Sequence, residues 1–364
     1  MENMVNENIL AAYKNKRVFI TGHTGFKGSW LSYALCKAGA VVKGYALTPN
    51  TEPALFSLIK QKIKIDSVIA DIKDHQKLEQ EILNFEPDFI FHLAAQPLVR
   101  KSYKEPLNTF STNIIGTANV LNALQKLNNP CSSLFITTDK VYENKEWHYP
   151  YRETDRLGGY DPYSASKACA ELVINSYCNS FFNTADFDKH KKAIASVRAG
   201  NVIGGGDWSE DRLIPDIIKS ITENKKIVIR NPYAVRPWQH VLEPVFGYLQ
   251  LALLLATDAK KYGGAWNFGP ANTDNLSVLH IAKKAIAIWG NGEIDLQADP
   301  LAVHEANLLK LDISKAINEL KWKPKMDADQ AIAKTITWYK SFYEGNKTAF
   351  SLLENDILYY QSLL

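Results

Sequence analysis

Residues 17–31 read RVFITGHTGFKGSWL, and this stretch decides the fold. A short β-type run, Arg17–Thr21, leads into a turn with glycines at 22, 25 and 28, and an apolar, helix-like segment follows to Ala38. Glycines at this spacing permit a tight turn and let the backbone approach a pyrophosphate, which sits at the positive N-terminus of the following helix. Three glycines in seven residues also make an ordinary turn. The strand before and the helix after favour the dinucleotide reading. An acidic residue to hold the ribose hydroxyls is expected roughly 20 residues further on. None stands at the end of the second run, Gly44-Tyr45-Ala46-Leu47-Thr48, and no arginine stands there to favour a 2′-phosphate, so NAD against NADP stays open.

Working outward, strand-like runs are expected at 40–47, 68–72, 89–93, 134–138 and 193–202. Helix-like runs are expected up to Phe85, over 107–127 and over 163–182. The run FIFHL at 89–93 is continuously apolar, as in a sheet covered on both faces. Strands and helices alternating at this spacing predict an α/β fold, a Rossmann-type doubly wound parallel sheet. After about residue 203 the pattern loosens. Turn signals (GGGDW, NPYAVRP, YGG, KWKP) separate helix candidates at 214–222, 244–256, 278–288 and 328–342. The expected organisation is an N-terminal extension over 1–16, a nucleotide-binding domain over 17–203, and a smaller, mostly helical substrate lobe over 204–345. Some segments are exchanged between the lobes, and a tail runs over 346–364.

Composition narrows the function classes. The chain has 364 residues, 46% of them apolar, which suffices for a large core. A net charge of +3 with no long basic run gives no reason to expect nucleic acid or an anionic membrane surface. Cys36, Cys131, Cys169 and Cys178 form no CxxC, so reduced thiols and no metal site are expected. The N-terminal residues lack the apolar core of a signal peptide, and LQLALLLA at 249–256 is too short to span a bilayer, which sets a cytoplasmic protein as the expectation.

The chemistry-bearing motif is Tyr163-Ser-Ala-Ser-Lys167. A tyrosine and a lysine four apart share one helical face, where the ammonium can lower the phenol pKa and make tyrosinate accessible. YxxxK occurs often by chance. Here it lies behind Asp161-Pro162 and downstream of a strand carrying Thr137-Thr138. Directly after that strand come Asp139 and Lys140, which are either a charged turn or an added acid and base.

These motifs together resemble the extended short-chain dehydrogenase/reductase superfamily. HLAAQPLVRKSY (92–103), RAGNVIGGGDW (198–208), DRLIPD (211–216), RNPYAVRPWQHVLEP (230–244) and WNFGP (266–270) narrow the resemblance to the CDP-glucose 4,6-dehydratase family. The resemblance covers about residues 17–340. It implies a hydro-lyase that turns a nucleotide-diphosphate hexose into its 4-keto-6-deoxy form by internal hydride transfer through NAD. The implied catalytic set is Thr138, Asp139, Lys140, Tyr163 and Lys167. The implied cofactor set is Gly22, Thr24, Gly25, Phe26, Gly28, Asp71, Ile72, Leu93, Ala94, Ala95, Asn113, Tyr163 and Lys167. Asp71 is alternatively a helix N-cap, and Asn113, implied as support for the lysine and a relay water, is alternatively a buried tie. For the sugar nucleotide the resemblance implies Gln96, Asn201, Arg212, Leu213, Arg230 and Arg236. Trp208 and Trp238 are read first as packing, and His240 as a core histidine. A homodimer paired through a four-helix bundle is also implied, with 107–127 and 163–182 as the helices. The competing enzyme readings are a 4,6-dehydratase for another nucleotide-diphosphate hexose and an epimerase of the same fold, which needs no Asp139-Lys140 pair.

Overall fold

The computed structural model describes residues 9–271, 276–297 and 308–364. Its centre is a parallel sheet of seven strands: β1 (Arg17–Thr21), β2 (Val41–Ala46), β3 (Ile65–Ile69), β4 (Phe89–His92), β5 (Cys131–Ile136), β6 (Lys192–Ala199) and β11 (Gly264–Phe268). Their order across the sheet is β11-β6-β5-β4-β1-β2-β3, which reverses direction about β1. The carboxyl ends of β1 and β4 lie side by side there, Thr21 opposite His92, and such a switch point opens the crevice in which ligands bind. Strands β4, β5 and β6 are buried along their whole length, which agrees with their apolar runs.

The helices that matter for the site have readable causes. Helix α1 (Phe26–Lys37) starts directly after Gly25, and no side chain caps its N-terminus. Helix α2 (His75–Phe85) is capped by Asp74, whose carboxylate accepts from Lys77 N. The expected helix over 107–127 is continuous but not uniform. A short helix at Pro106–Phe110 passes through a π-turn at Ser111–Ile115 into α3 (Gly116–Lys126). Helix α4 (Pro162–Ser180) has Asp161 as N-cap, accepting from Ser164 N at 3.0 Å, with Pro162 in its first turn, where a missing N–H costs nothing.

Beyond β6 come β7 (Val202–Ile203), α5 (Leu213–Thr222), β8 (Ile227–Ile229), β9 (Val235–Arg236) and β10 (Gln239–His240). Then α6 (Leu242–Thr257) runs beneath the sheet, with Leu249, Leu251 and Leu255 inaccessible to solvent. Burying each such side chain is worth about 1.5–3 kcal/mol. The chain then re-enters the sheet as β11 and leaves through β12 (Leu276–Ser277), α7 (Val278–Trp289), β13 (Ile294–Leu296) and α8 (Ala328–Tyr343).

One expectation needs correction. The third strand is Ile65–Ile69, so Asp71-Ile72 lies past its end and not on it. Within the C-terminal tail, α9 (Ala349–Gln361) buries Leu352, Leu353, Ile357 and Tyr360 against the core. The segment before β1 is also partly tied down, since Tyr13 is buried and its hydroxyl donates to Leu249 O at 2.8 Å.

Candidate active site

The loop from β1 to α1 is shaped by close backbone approach. Gly22 has φ +78°, and a Cβ there would stand 2.7 Å from Ala94 N; a Cβ on Gly28 would stand 2.0 Å from Gly22 O. Thr21 Oγ1 accepts from Ala94 N at 3.1 Å, so Leu93, Ala94 and Ala95 at the end of β4 lie against the loop. Thr24 Oγ1 donates to Leu47 O at 2.8 Å and ties the loop to the end of β2. Ile72 packs on Gly116 of α3, while Asp71 accepts from Lys73 N and pairs with Lys73. Asp74 caps α2, so the N-cap reading of Asp71 is not realised.

Next to this loop is a cleft of about 1700 Å³. Single ligand pockets span about 300–1000 Å³, so the cleft has room for an elongated ligand. Thr138, Asp139, Lys140 and Tyr163 line it, together with Phe26, Asn201, Arg212, Leu213, Arg230 and Arg236. Residues as far apart in the chain as Phe26 and Arg236 thus share one wall, because the ends of β5 and β6 and the first turns of α1, α4 and α5 open on the same side.

The centre is a polar cluster with few exposed atoms. Thr138 Oγ1 donates to Asp139 Oδ1 at 2.9 Å, and Lys140 Nζ lies 3.4 Å from the same oxygen. Asp139 is buried, whereas the Lys140 side chain keeps a third of its surface open to the cleft. Tyr163 is 8% exposed. Burial raises its phenol above the usual value; the Lys140 charge and the Thr138 hydroxyl draw it back down, and Asp139 pushes it up. Lys140 thus joins the helical Lys167 as a cation close to the phenol. Lys167 Nζ donates to Ile136 O at 3.0 Å, and burial brings it down to about 8 against the upward pull of Glu171.

Behind the cluster lies a buried ion pair. Glu171 accepts from Arg198 Nε and Nη2, both at 3.0 Å, from Thr137 Oγ1 at 2.6 Å and from Ser196 Oγ at 2.7 Å. Arg198 also donates to Tyr142 Oη, which donates to Asn267 Oδ1 of β11. The Thr137 side chain, next to Thr138, is thus held by a network reaching into the second half of the chain.

Two expected residues are tied to their neighbours. Gln96 is buried, and its carboxamide closes the turn by pairing with Leu98 N, Leu98 O and Thr109 Oγ1. Asn113 bonds Gln96 N, Gln96 O and Ser166 Oγ, so among the described residues it ties the π-turn to α4 and does not touch Lys167. Trp208 packs among Trp338, Tyr339 and Phe342, and His240 is fully buried against Trp30 with its imidazole lowered to about 3 by burial.

Other residues were not foreseen. Asp207 pairs with Arg212 at 2.7 Å and fixes that guanidinium at the mouth of α5. His23 fills the space over Gly44 of β2, where a Cβ would stand 2.3 Å from its ring, and its Nε2 bonds Ser67 Oγ at 2.7 Å. Lys27, half-buried in the first turn of α1, lines the cleft beside Arg212 and Asp139. Burial lowers its ammonium to about 7; Arg212 and Lys167 add to that shift and Asp139 opposes it. The signal for Lys27 was present in the quoted motif, as a cation at the positive end of a helix, where it is disfavoured.

Comparison with known proteins gives a consistent picture. The family described as GDP-mannose 4,6 dehydratase matches residues 19–335. The CDP-glucose 4,6-dehydratase of Salmonella typhimurium is 48% identical, with 94% of each chain covered. Among solved structures, the dTDP-glucose 4,6-dehydratase DesIV of Streptomyces venezuelae, with NAD and TYD bound, superposes with a TM-score of 0.75 at 22% identity. That match covers 90% of this chain and 98% of the other. The UDP-glucose 4-epimerase of Thermotoga maritima, with UDP-glucose, gives 0.74 at 22% identity over 91% and 99%. These last two likenesses are of fold.

Proposed function

The chain belongs to the GDP-mannose 4,6 dehydratase family, and from that premise we propose that it converts CDP-glucose to CDP-4-keto-6-deoxyglucose with NAD. The observation that carries the reading is the Asp139–Lys140 pair beside Thr138 and Tyr163 in one cleft. A simple 4-epimerase needs no such added acid and base. The cytosine nucleotide and glucose rest on the 48% identical relative.

The residues present fit a dinucleotide. Gly22 and Gly28 let the backbone close into a tight turn that a Cβ at either position would break, and the first N–H groups of α1 have no side-chain cap, which suits a pyrophosphate. Bound NAD supplies a hydride acceptor that later returns the same hydride. Gly22, Thr24, Gly25, Phe26 and Gly28 would hold it from the loop, and Leu93, Ala94, Ala95 and Ile72 from the neighbouring strand ends. Tyr163 takes the proton of the sugar 4-hydroxyl, and Thr138 orients that oxygen. The 4-ketone acidifies the C5 hydrogen. Lys140 removes it, and Asp139 delivers a proton to the departing 6-hydroxyl, so that water leaves; Lys140 then gives its proton back to C5 as C6 is reduced. Asn201, Arg212, Leu213, Arg230 and Arg236 hold the nucleotide diphosphate, with Arg212 aimed by Asp207. In this division, residues 17–203 with β11 carry the cofactor and the chemistry, and 204–345 hold the substrate.

We further propose a homodimer through the helices around α3 and α4. Its support is the exposure of Leu107 (81%), Ile115 (52%) and Leu172 (57%) on the segments that would pair. No helix among the described residues is long and apolar enough to cross a membrane.

The test is incubation of the purified protein with CDP-glucose, dTDP-glucose, UDP-glucose and UDP-N-acetylglucosamine in turn, with NAD, reading loss of one water by mass spectrometry. Loss from CDP-glucose with no accumulating NADH is expected. An isomerised product with no loss of water overturns the dehydratase reading. In the Lys140→Met variant, deuterium exchange at C5 and turnover fall together, by about 10²–10⁴-fold. Survival of both removes Lys140 as the base.

A further inference from the structure

Lys27 has no hydrogen bond or ion pair among the described residues, although it is half-buried in a cleft full of polar groups. Its surroundings do not neutralise it. Arg212 and Lys167 are close enough for their charges to act on it, Asp139 is the one acid that does so, and the α1 N-terminus adds positive potential. Asp139 and Arg212 are already engaged, the first with Thr138 and Lys140, the second with Asp207. An ammonium held in this way costs stability in the empty protein, and a bound anion is the partner that the geometry lacks. The walls on either side supply the candidates, the dinucleotide loop to which Lys27 belongs and the α5 mouth marked by Arg212.

We propose that Lys27 binds a diphosphate oxyanion of the nucleotides held in this cleft, as a charge-assisted contact between the cofactor loop and the substrate wall. The inference rests on the nucleotide-sugar reading above. It names a specificity residue that the glycine motif does not require, since the glycines act through the backbone. The diphosphate comes either from the sugar nucleotide or from the dinucleotide.

The experiment uses titration calorimetry on the full chain, with two probes: NAD alone, and CDP in the presence of NAD. Wild type, Lys27→Gln and Lys27→Arg are compared. In Lys27→Gln at least one dissociation constant rises about 10- to 100-fold, the loss of one charge-assisted hydrogen bond to a phosphate. Loss confined to CDP assigns the contact to the sugar nucleotide, loss confined to NAD assigns it to the dinucleotide, and loss of both means that it bridges them. Lys27→Arg keeps most of the affinity. Near pH 8, wild type takes up a proton on binding, seen as a buffer-dependent enthalpy, and Lys27→Gln does not.

The melting temperature of the nucleotide-free Lys27→Gln protein stays level or rises. A structural lysine would instead lower it. Both dissociation constants unchanged within twofold overturn the proposal, as does a lowered melting temperature with intact affinity. A wild type that binds CDP and NAD but never dehydrates CDP-glucose overturns the assigned reaction alone and leaves the Lys27 contact standing.

Discussion

Replacing Glu171 by Gln probes how Thr137, the neighbour of Thr138, is held. Glu171 and Arg198 are each 4% exposed, and four donors converge on the two carboxylate oxygens. Glutamine keeps one acceptor oxygen and puts an amide NH₂ where the other stood, facing donors. The Arg198 charge then lies buried without its counter-ion. Breaking a buried pair on one side costs about 3–5 kcal/mol. Urea unfolding followed by tryptophan fluorescence reads this directly: with a slope of about 1–3 kcal/mol per molar, the midpoint falls by about 1 M or more.

The double variant Glu171→Leu/Arg198→Met recovers much of the loss, because it removes both charges. Burial acts to raise the Glu171 carboxyl, but the Arg198 charge and the three side-chain partners outweigh it and hold the group below its usual value. Its contribution is therefore present above the unfolded value of about 4.3 and lost as pH falls through the lower folded value. Glu171→Gln lacks that acid limb below about pH 4. A loss under about 1 kcal/mol, or a double variant weaker than either single one, refutes the stranded-charge argument.

Tyr163→Phe lowers kcat by about 10²–10⁴-fold while NAD affinity, measured by fluorescence quenching, is kept; full activity removes the phenol from the proton transfer. Glu243 is fully buried, accepting from Tyr360 Oη at 2.6 Å and from Lys325 N and Met326 N, and burial raises its carboxyl to about 7. That contribution is complete below about pH 4.3 and lost as pH rises through 7, on the order of 3 kcal/mol. Urea midpoints of wild type therefore fall between pH 5 and pH 8, those of Glu243→Gln fall less, and identical slopes contradict the assignment.

The sheet, the dinucleotide loop and the four-residue spacing of Tyr163 and Lys167 were legible because each rests on local pattern. Apolar runs mark buried strands, glycines mark close approach, and helical periodicity sets which side chains share a face. What lay between distant segments was not legible. Nothing near Gln96 announces that Leu98 and Thr109 would occupy its carboxamide, and nothing near Tyr163 shows that the Lys140 charge also acts on its phenol. The third strand was placed three residues late because Ile65-Asp66-Ser67 carries polar residues on an edge strand, where exposure weakens the apolar signal. The C-terminal helix escaped notice because its buried face is short, and the partner of its Tyr360 hydroxyl is Glu243, 117 residues away.

The position of β11 also bears on how the chain is made. Its partner β6 is buried on both faces and, until β11 arrives, offers a bare edge of backbone donors and acceptors. Roughly 65 residues separate the two, so at about 5–20 residues per second a ribosome leaves that edge uncovered for some 3–13 s. During that interval the nascent first half is a template for strand addition by another chain. Expression of the first 203 residues alone would make the interval permanent, and the half-protein is expected in inclusion bodies, whereas slowed translation between 203 and 264 should lower the soluble yield of the whole chain.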